Sequence, residues 1–155
     1  MDYQEWEQRV PADITEDVLW KMRAYRFALF LGDLAWRDVT TLAADRRTLG
    51  LSDQLYRAVG SIGANMAEGH SRSSGKDRAR FFEYSLGSTR ESRDWYYKGR
   101  HILGEAVTAH RVNLVTQIAR LLLTYIPDQR HVTLKEEAAD YWVFPPDLLT
   151  DVPMS

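Results

Sequence analysis

No proline stands between Ala12 and Ile126, and this absence limits the fold more than any other feature of the chain. Proline in a helix interior removes a hydrogen bond and clashes with the preceding turn, so a long stretch without it is open to continuous helix. The apolar residues in that stretch follow helical spacing. Val18, Met22, Tyr25, Leu29, Gly32, Trp36, Val39 and Ala43 recur at steps of four and three, and a second line runs through Trp20, Phe27, Leu31 and Leu34. Together they make the broad apolar face of a bundle helix rather than a narrow coiled-coil seam. With Thr15 as N-cap and Glu16 and Asp17 in the first turn, the pattern predicts a first helix over about 16–45.

Three more helices follow by the same reasoning. Ser52 caps a second helix over about 52–69, with Leu55, Ala58, Val59, Ile62 and Met66 inward and Gly69 as its left-handed C′ residue. Ser74-Gly75-Lys76-Asp77 reads as a capping box that opens a third helix over 75–103, closed by Gly104. One line of that helix, Phe81, Ser85, Ser88, Ser92, Trp95, Gly99 and Ile102, is small through its middle, which predicts a tight crossing near Gly87–Ser88. A neighbouring line holds Phe82, Leu86, Thr89 and Tyr96. The fourth helix, about 107–126, turns Val112, Val115, Ile118, Ala119, Leu122 and Ile126 inward. No strand pattern competes, so the expected fold is all-α: an antiparallel up-down four-helix bundle over 1–126. A C-terminal tail over 127–155 follows, with two helical turns over 134–141. Beyond them Trp142 to Leu149 is held extended by Pro145-Pro146 and needs a surface to lie on.

Several functions are excluded by what the chain lacks. Without cysteine there are no disulfides, thiol nucleophiles or thiolate zinc sites. The polar, acidic start Met1-Asp2-Tyr3-Gln4-Glu5 is not a signal peptide, and no apolar run approaches the roughly 18 residues that span a bilayer. A cytoplasmic location with no membrane contact is expected. The Glu-x-x-His pairs of di-metal bundles are missing; the nearest patterns are His101…Glu105 and Asp128…His131. Glu68 and Glu91 are the carboxylates best placed for acid–base work, and each is more simply read as a hydrogen-bond acceptor near a helix end or a crossing. Asn65, on the border of the second helix's buried line, is expected to tie that helix to a neighbouring segment. No catalytic residues, cofactor, metal or small-molecule substrate are implied, and the chain is not expected to be an enzyme.

Charge is more informative in its distribution than in its sum. The formal net charge is −2, yet residues 52–103 carry +3 between flanks of −2 and −3. Arg72, Lys76 and Arg80 fall four apart around the start of the third helix. Arg93 and Arg100 are one heptad apart, with Arg90, Tyr97 and Lys98 beside them and Arg57 on the second helix. Such clustering suits a phosphate backbone, since each phosphate neutralised releases counterions. A solvated face, with Asp77, Glu83, Glu91 and Asp94 pairing these cations locally, accounts for the same residues.

The middle of the chain also resembles a known family. Gln54 to Gly69, with Ser61-Ile62 at mid-helix and an Asn65-Met66-Ala67-Glu68-Gly69 terminus, is similar to the second-helix signature of a bacterial four-helix bundle family. That family includes proteins encoded in intervening sequences of large-subunit ribosomal RNA genes. A second block, Phe82, Ser85, Gly87, Ser88 and Glu91, matches as well, as does the lead-in Leu49-Gly50-Leu51…Gln54-Leu55. The likeness covers roughly 16–126 and stops short of the tail. It implies an antiparallel bundle that assembles into a ring, commonly a homopentamer, with no established enzyme activity. A related branch, the accessory variability protein of diversity-generating retroelements, binds reverse transcriptase and nucleic acid; that branch is strongly basic and this chain is not. The family likeness taken together with the +3 middle third gives the expectation of a non-enzymatic oligomeric scaffold that engages RNA, or a ribonucleoprotein or reverse transcriptase partner, through the helix 2–3 region. The competing expectation is a protein-interaction adaptor working through Tyr141-Trp142-Val143-Phe144.

Overall fold

The computed structural model describes residues 2–130 and 148–155. Among these every regular element is helical: α1 (Tyr3–Glu7), α2 (Ala12–Thr15), a 3₁₀ turn (Val18–Lys21) and four long helices, α3 (Arg23–Ala43), α4 (Leu49–His70), α5 (Gly75–Leu103) and α6 (Glu105–Arg130). Each long helix packs on the next in sequence, and α3 also meets α6. The predicted helix 134–141 and most of the extended tail segment lie outside the described residues.

The first helix starts later than its apolar spacing suggests. Thr15 is no N-cap but the last residue of α2. Asp17 caps the 3₁₀ turn instead, accepting from the Leu19 N–H at 2.8 Å, and Met22 is extended (φ −81°, ψ 110°) before α3 begins. This detour stacks Trp20 on Trp6, with ring centroids 6.1 Å apart. Residues 3–7, for which the pattern predicts no helix, form α1 through an Asp2/Glu5 capping box. α1 drives Tyr3 edge-on against Phe27 (5.5 Å) and Phe30 (5.3 Å). The Trp6 indole N–H donates to Asp33 Oδ2 at 2.5 Å.

The apolar line assigned to the first helix is marginal rather than central. Its Val18 and Trp36 are 50% and 63% exposed, while Phe27, Leu31 and Leu34 of the second line are buried with Ala24, Phe30, Ala35 and Leu42. Step counting cannot decide which of two adjacent lines faces the core.

α4 begins at Leu49, three residues before the predicted cap. Thr48 turns its hydroxyl back to the Leu42 carbonyl (2.5 Å), and Ser52 is buried with its hydroxyl on the Leu49 carbonyl (2.6 Å). Gly69 is not a left-handed C′ residue. It lies inside α4, where a Cβ would sit 2.8 Å from the Phe81 Cβ and 3.2 Å from the Phe82 ring. The positive φ belongs to Gly104, at +81°, which closes α5 as predicted. Ser74 caps α5 through the Asp77 N–H at 3.0 Å.

Nor is the tight crossing at Gly87–Ser88. Gly87 is exposed, with nothing within 4 Å of where a Cβ would stand. The approach occurs where Ser85 donates to the Ile62 carbonyl (2.8 Å) and where Gly69 meets the phenylalanines. The buried line runs Phe82, Ser85, Thr89, Ser92, Tyr96, Gly99 and Leu103: it keeps Ser85, Ser92 and Gly99 of the small line, takes Phe82, Thr89 and Tyr96 from its neighbour, and leaves Phe81, Ser88, Trp95 and Ile102 at the margin.

α6 continues through Pro127 to Arg130, beyond the predicted end at 126. Its last turn is braced against the start of α5 by Arg78, whose NH1 donates to Gln129 Oε1 at 3.0 Å. The tail's final residues do find a surface, and it is their own bundle. Leu148 is buried, Leu149, Val152 and Met154 pack on the core, and the Tyr3 N–H donates to the Leu149 carbonyl at 2.9 Å.

Candidate nucleic-acid interface and a buried charge cluster

The eight cations picked out from the sequence do not form one patch. Arg57 on α4 pairs with Asp53 (3.1 Å), one turn before it. Arg72, in the α4–α5 loop, pairs with Glu68 and lies 4.6 Å over the Phe81 ring. Arg80 donates to the Tyr84 hydroxyl at 2.6 Å, and Lys98 pairs with Asp94 (2.6 Å) while lying 4.4 Å over Trp95. Lys76, Arg90 and Arg93 are exposed and form no ion pair among the described residues. Arg100 is half-buried, its guanidinium 4.2 Å over the Tyr97 ring with NH1 donating to the Tyr97 carbonyl at 2.9 Å.

Local pairing accounts for only part of this face. Asp94 takes Lys98, but Asp77 accepts from Ser74 at the helix cap and Glu91 accepts from the Trp95 indole N–H at 3.2 Å. The rest separates by helix geometry. Arg90, Arg93, Tyr97 and Arg100 stand at i, i+3, i+7 and i+10, on one flank of α5. At about 100° per residue, Glu91 projects about 100° from Arg90 and farther from the rest of that flank, while Asp94, one turn on from Arg90 and about 40° around, borders the flank and is taken by Lys98. Lys76, Arg80 and Lys98 share the middle of the exposed face with Asp94. One side of α5 is therefore mixed in charge, and the other is an arginine line around an exposed ring.

The motif residues are mostly helix mechanics. Ser61 donates to the Arg57 carbonyl (2.9 Å). Asn65 donates to the Ser61 carbonyl (2.8 Å), so it serves its own helix and not the neighbouring segment expected for it. Glu68 receives Arg72, as a hydrogen-bond acceptor should. Gly69 admits Phe81 and Phe82, and Ser88 offers its carbonyl to the Ser92 hydroxyl at 2.8 Å. Among the described residues, no group of three or more His, Cys, Asp or Glu could hold a metal ion.

The most polar feature of the core was not anticipated. Arg111 and Asp38 have no exposed side-chain surface and pair through Arg111 Nε to Asp38 Oδ2 (2.8 Å) and NH2 to Oδ1 (3.2 Å). The Tyr96 hydroxyl donates to the same Oδ2 at 3.1 Å. Burial, and then the Asp38 charge, push that hydroxyl well above the usual tyrosine range, with Arg111 opposing. Arg111 also reaches the Pro153 carbonyl (2.9 Å) through NH2 and His110 Nδ1 (2.9 Å) through NH1. A guanidinium only donates, so Nδ1 accepts and His110 Nε2 donates to the Leu148 carbonyl at 2.7 Å. The cluster thus joins α3, α5 and α6 and clasps the end of the chain. A sequence signal existed: Asp38 sits three after Ala35 and four before Leu42, and Arg111 four before Val115, all core positions. A charged residue in register with a core line must be paired.

No helix among the described residues is long and apolar enough to cross a membrane. No curated protein and no solved structure matches the chain. The family model described as "23S rRNA-intervening sequence protein" matches residues 21–124, from just before α3 to near the end of α6. That match takes in both motif blocks, the arginine flank and the buried cluster, and on it the chain belongs to the 23S rRNA-intervening sequence protein family.

Proposed function

We propose that this protein is a non-enzymatic scaffold, an antiparallel up-down four-helix bundle that assembles with copies of itself and binds RNA through the exposed side of α5. The observation that carries the RNA reading is the flank of Arg90, Arg93 and Arg100, exposed or half-buried and without an ion pair among the described residues. Membership in a family named for ribosomal RNA supports it. Phosphate contacts need no enzyme chemistry, only cations whose charge is not already spent on neighbours.

Self-association is supported by a different surface. Trp36 (63% exposed) and Tyr56 (45%) meet edge-to-face at 5.9 Å across α3 and α4, a pair of large apolar rings left in solvent. A ring of five predicts a mass near five times the 17.9 kDa protomer by light scattering. A Trp36→Ala, Tyr56→Ala variant should reduce that mass; a wild-type monomer would remove the assembly reading.

The RNA reading is tested by titrating a labelled RNA at low salt against wild type and an Arg90→Gln, Arg93→Gln, Arg100→Gln variant. The expected result is binding by wild type and a marked loss in the variant. Equal binding by both would show that the flank is not the site.

A further inference from the structure

The exposed face of α5 carries rings as well as charge, and the rings bear on which form of RNA it takes. Tyr97 is 58% exposed, at the centre of the arginine flank, with the Arg100 guanidinium 4.2 Å from one face of its ring. We propose, resting on the RNA reading above, that this flank binds single-stranded RNA, with an unstacked base laid on the open face of Tyr97 and Arg90 and Arg93 on the flanking phosphates.

Three observations carry this. First, Tyr97 contributes nothing visible to the core: it is neither in the buried cluster nor among the partly buried residues packed on it, whereas Trp95 and Tyr96, the two residues before it, are included. An exposed tyrosine between arginines costs the fold nothing to lose, and its ring is free for a ligand. Second, the guanidinium over one face holds that ring in place. Arg100 is itself anchored by NH1 on the Tyr97 carbonyl (2.9 Å), so ring and cation are preset relative to each other. A base arriving on the other face completes a guanidinium–ring–base stack, the arrangement by which proteins hold single strands, since every base has a π-face. Third, the line is short and straight. Arg90 to Arg100 spans about 15 Å along the helix, with the ring between the cations. Duplex RNA buries its base faces and is read by shape and by sugar and phosphate contacts, so it has no use for an exposed ring.

The opposite side of α5 argues by contrast. Its rings are engaged: Tyr84 meets Phe81 edge-on at 5.6 Å and accepts from Arg80, and Trp95 donates to Glu91. Glu91 lies there too, and would repel a phosphate chain.

Three probes test this on the full chain: a labelled single-stranded oligouridine, an abasic strand of the same length, and an RNA hairpin duplex, each with wild type, Tyr97→Ala and Tyr97→Phe. Circular dichroism melts would show that each variant stays folded. Wild type should prefer the oligouridine to the abasic strand. Tyr97→Ala should weaken oligouridine binding about 5- to 150-fold, the range for losing one stacked base. Tyr97→Phe should restore it, and duplex affinity should not move with either variant. If wild type binds duplex and single strand alike and Tyr97→Ala weakens neither, the RNA reading stands and this inference falls. If wild type binds none of the three at low salt, both fall.

Discussion

Replacing Arg111 with methionine removes the cation from a pair whose two side chains have no exposed surface. Asp38 then loses donors at 2.8 and 3.2 Å and keeps only the Tyr96 hydroxyl, while the Pro153 carbonyl and His110 Nδ1 lose theirs. Breaking a buried pair from one side leaves a charge with neither water nor a counter-ion, and typically costs about 3–5 kcal/mol. For a chain of this size each kcal/mol moves the midpoint of thermal unfolding by roughly 2–4 °C, so Arg111→Met should lower it by about 6–20 °C. Asp38→Leu should cost a similar amount, because the guanidinium is then the stranded group. The double variant removes both charges and both desolvation penalties, and should be less destabilised than the two single costs combined by about 2 kcal/mol or more. Calorimetry and urea unfolding at fixed protomer concentration measure all four proteins. Single costs below about 1 kcal/mol, or strict additivity in the cycle, would refute the reasoning that each of these two charges depends on the other as its counter-ion.

Four further outcomes follow from the packing and the titrating groups. Gly69→Ala should destabilise by about 1–3 kcal/mol, because its methyl would press on the Phe81 Cβ and the Phe82 ring. Gly87→Ala, in open space on α5, should stabilise by about 0.5–1 kcal/mol; chemical denaturation of the two variants checks the opposite signs. The Tyr96 hydroxyl titrates well above its unfolded value, so its contribution to stability is fully present below about pH 10 and is lost as pH rises beyond it. Unfolding midpoints measured from pH 8 to 11 should fall above that point, and less steeply in Tyr96→Phe. Hydrogen bonds from Arg47 hold the partly exposed Asp45 carboxyl at about 2, so its small contribution is present above the ordinary carboxylate range and lost as pH falls through 2. An NMR titration should place that midpoint near 2 and return it toward the ordinary range in Arg47→Ala.

The positions of the long helices were legible because proline, glycine and apolar spacing act locally. Ser74 and Gly104 bracket α5 through bonds made within a turn of themselves, and the sequence shows both ends. Even locally, residue type left a choice open: Ser52 and Thr48 have hydroxyls suited to capping, but turn them back to carbonyls three to six residues before them. Features that depend on a distant partner were harder to read. Gly69 and Gly87 look alike as glycines near helical small residues, and only the arrival of Phe81 beside one of them separates a close approach from an empty surface. The residues of α1 are polar in appearance, yet Tyr3 and Trp6 complete the aromatic end of the core. At the candidate site, the cations were visible as a cluster, but their division was not. Which cations pair with Glu68, Asp53 or Asp94 is decided by side-chain reach, and the flank of Arg90, Arg93 and Arg100 is left without a carboxylate partner among the described residues. The Asp38–Arg111 pair, 73 residues apart in sequence, had only its core register to announce it.

The central claim is that α5 engages RNA through its arginine flank, and the salt dependence of affinity tests it most directly. Observed affinity for single-stranded RNA should fall linearly with salt on logarithmic axes, and each phosphate contact adds about 0.7 to the slope. Neutralising Arg90, Arg93 and Arg100 together should therefore make the slope shallower by about 2. A variant with the wild-type slope, or a wild-type affinity that does not respond to salt, would contradict the account.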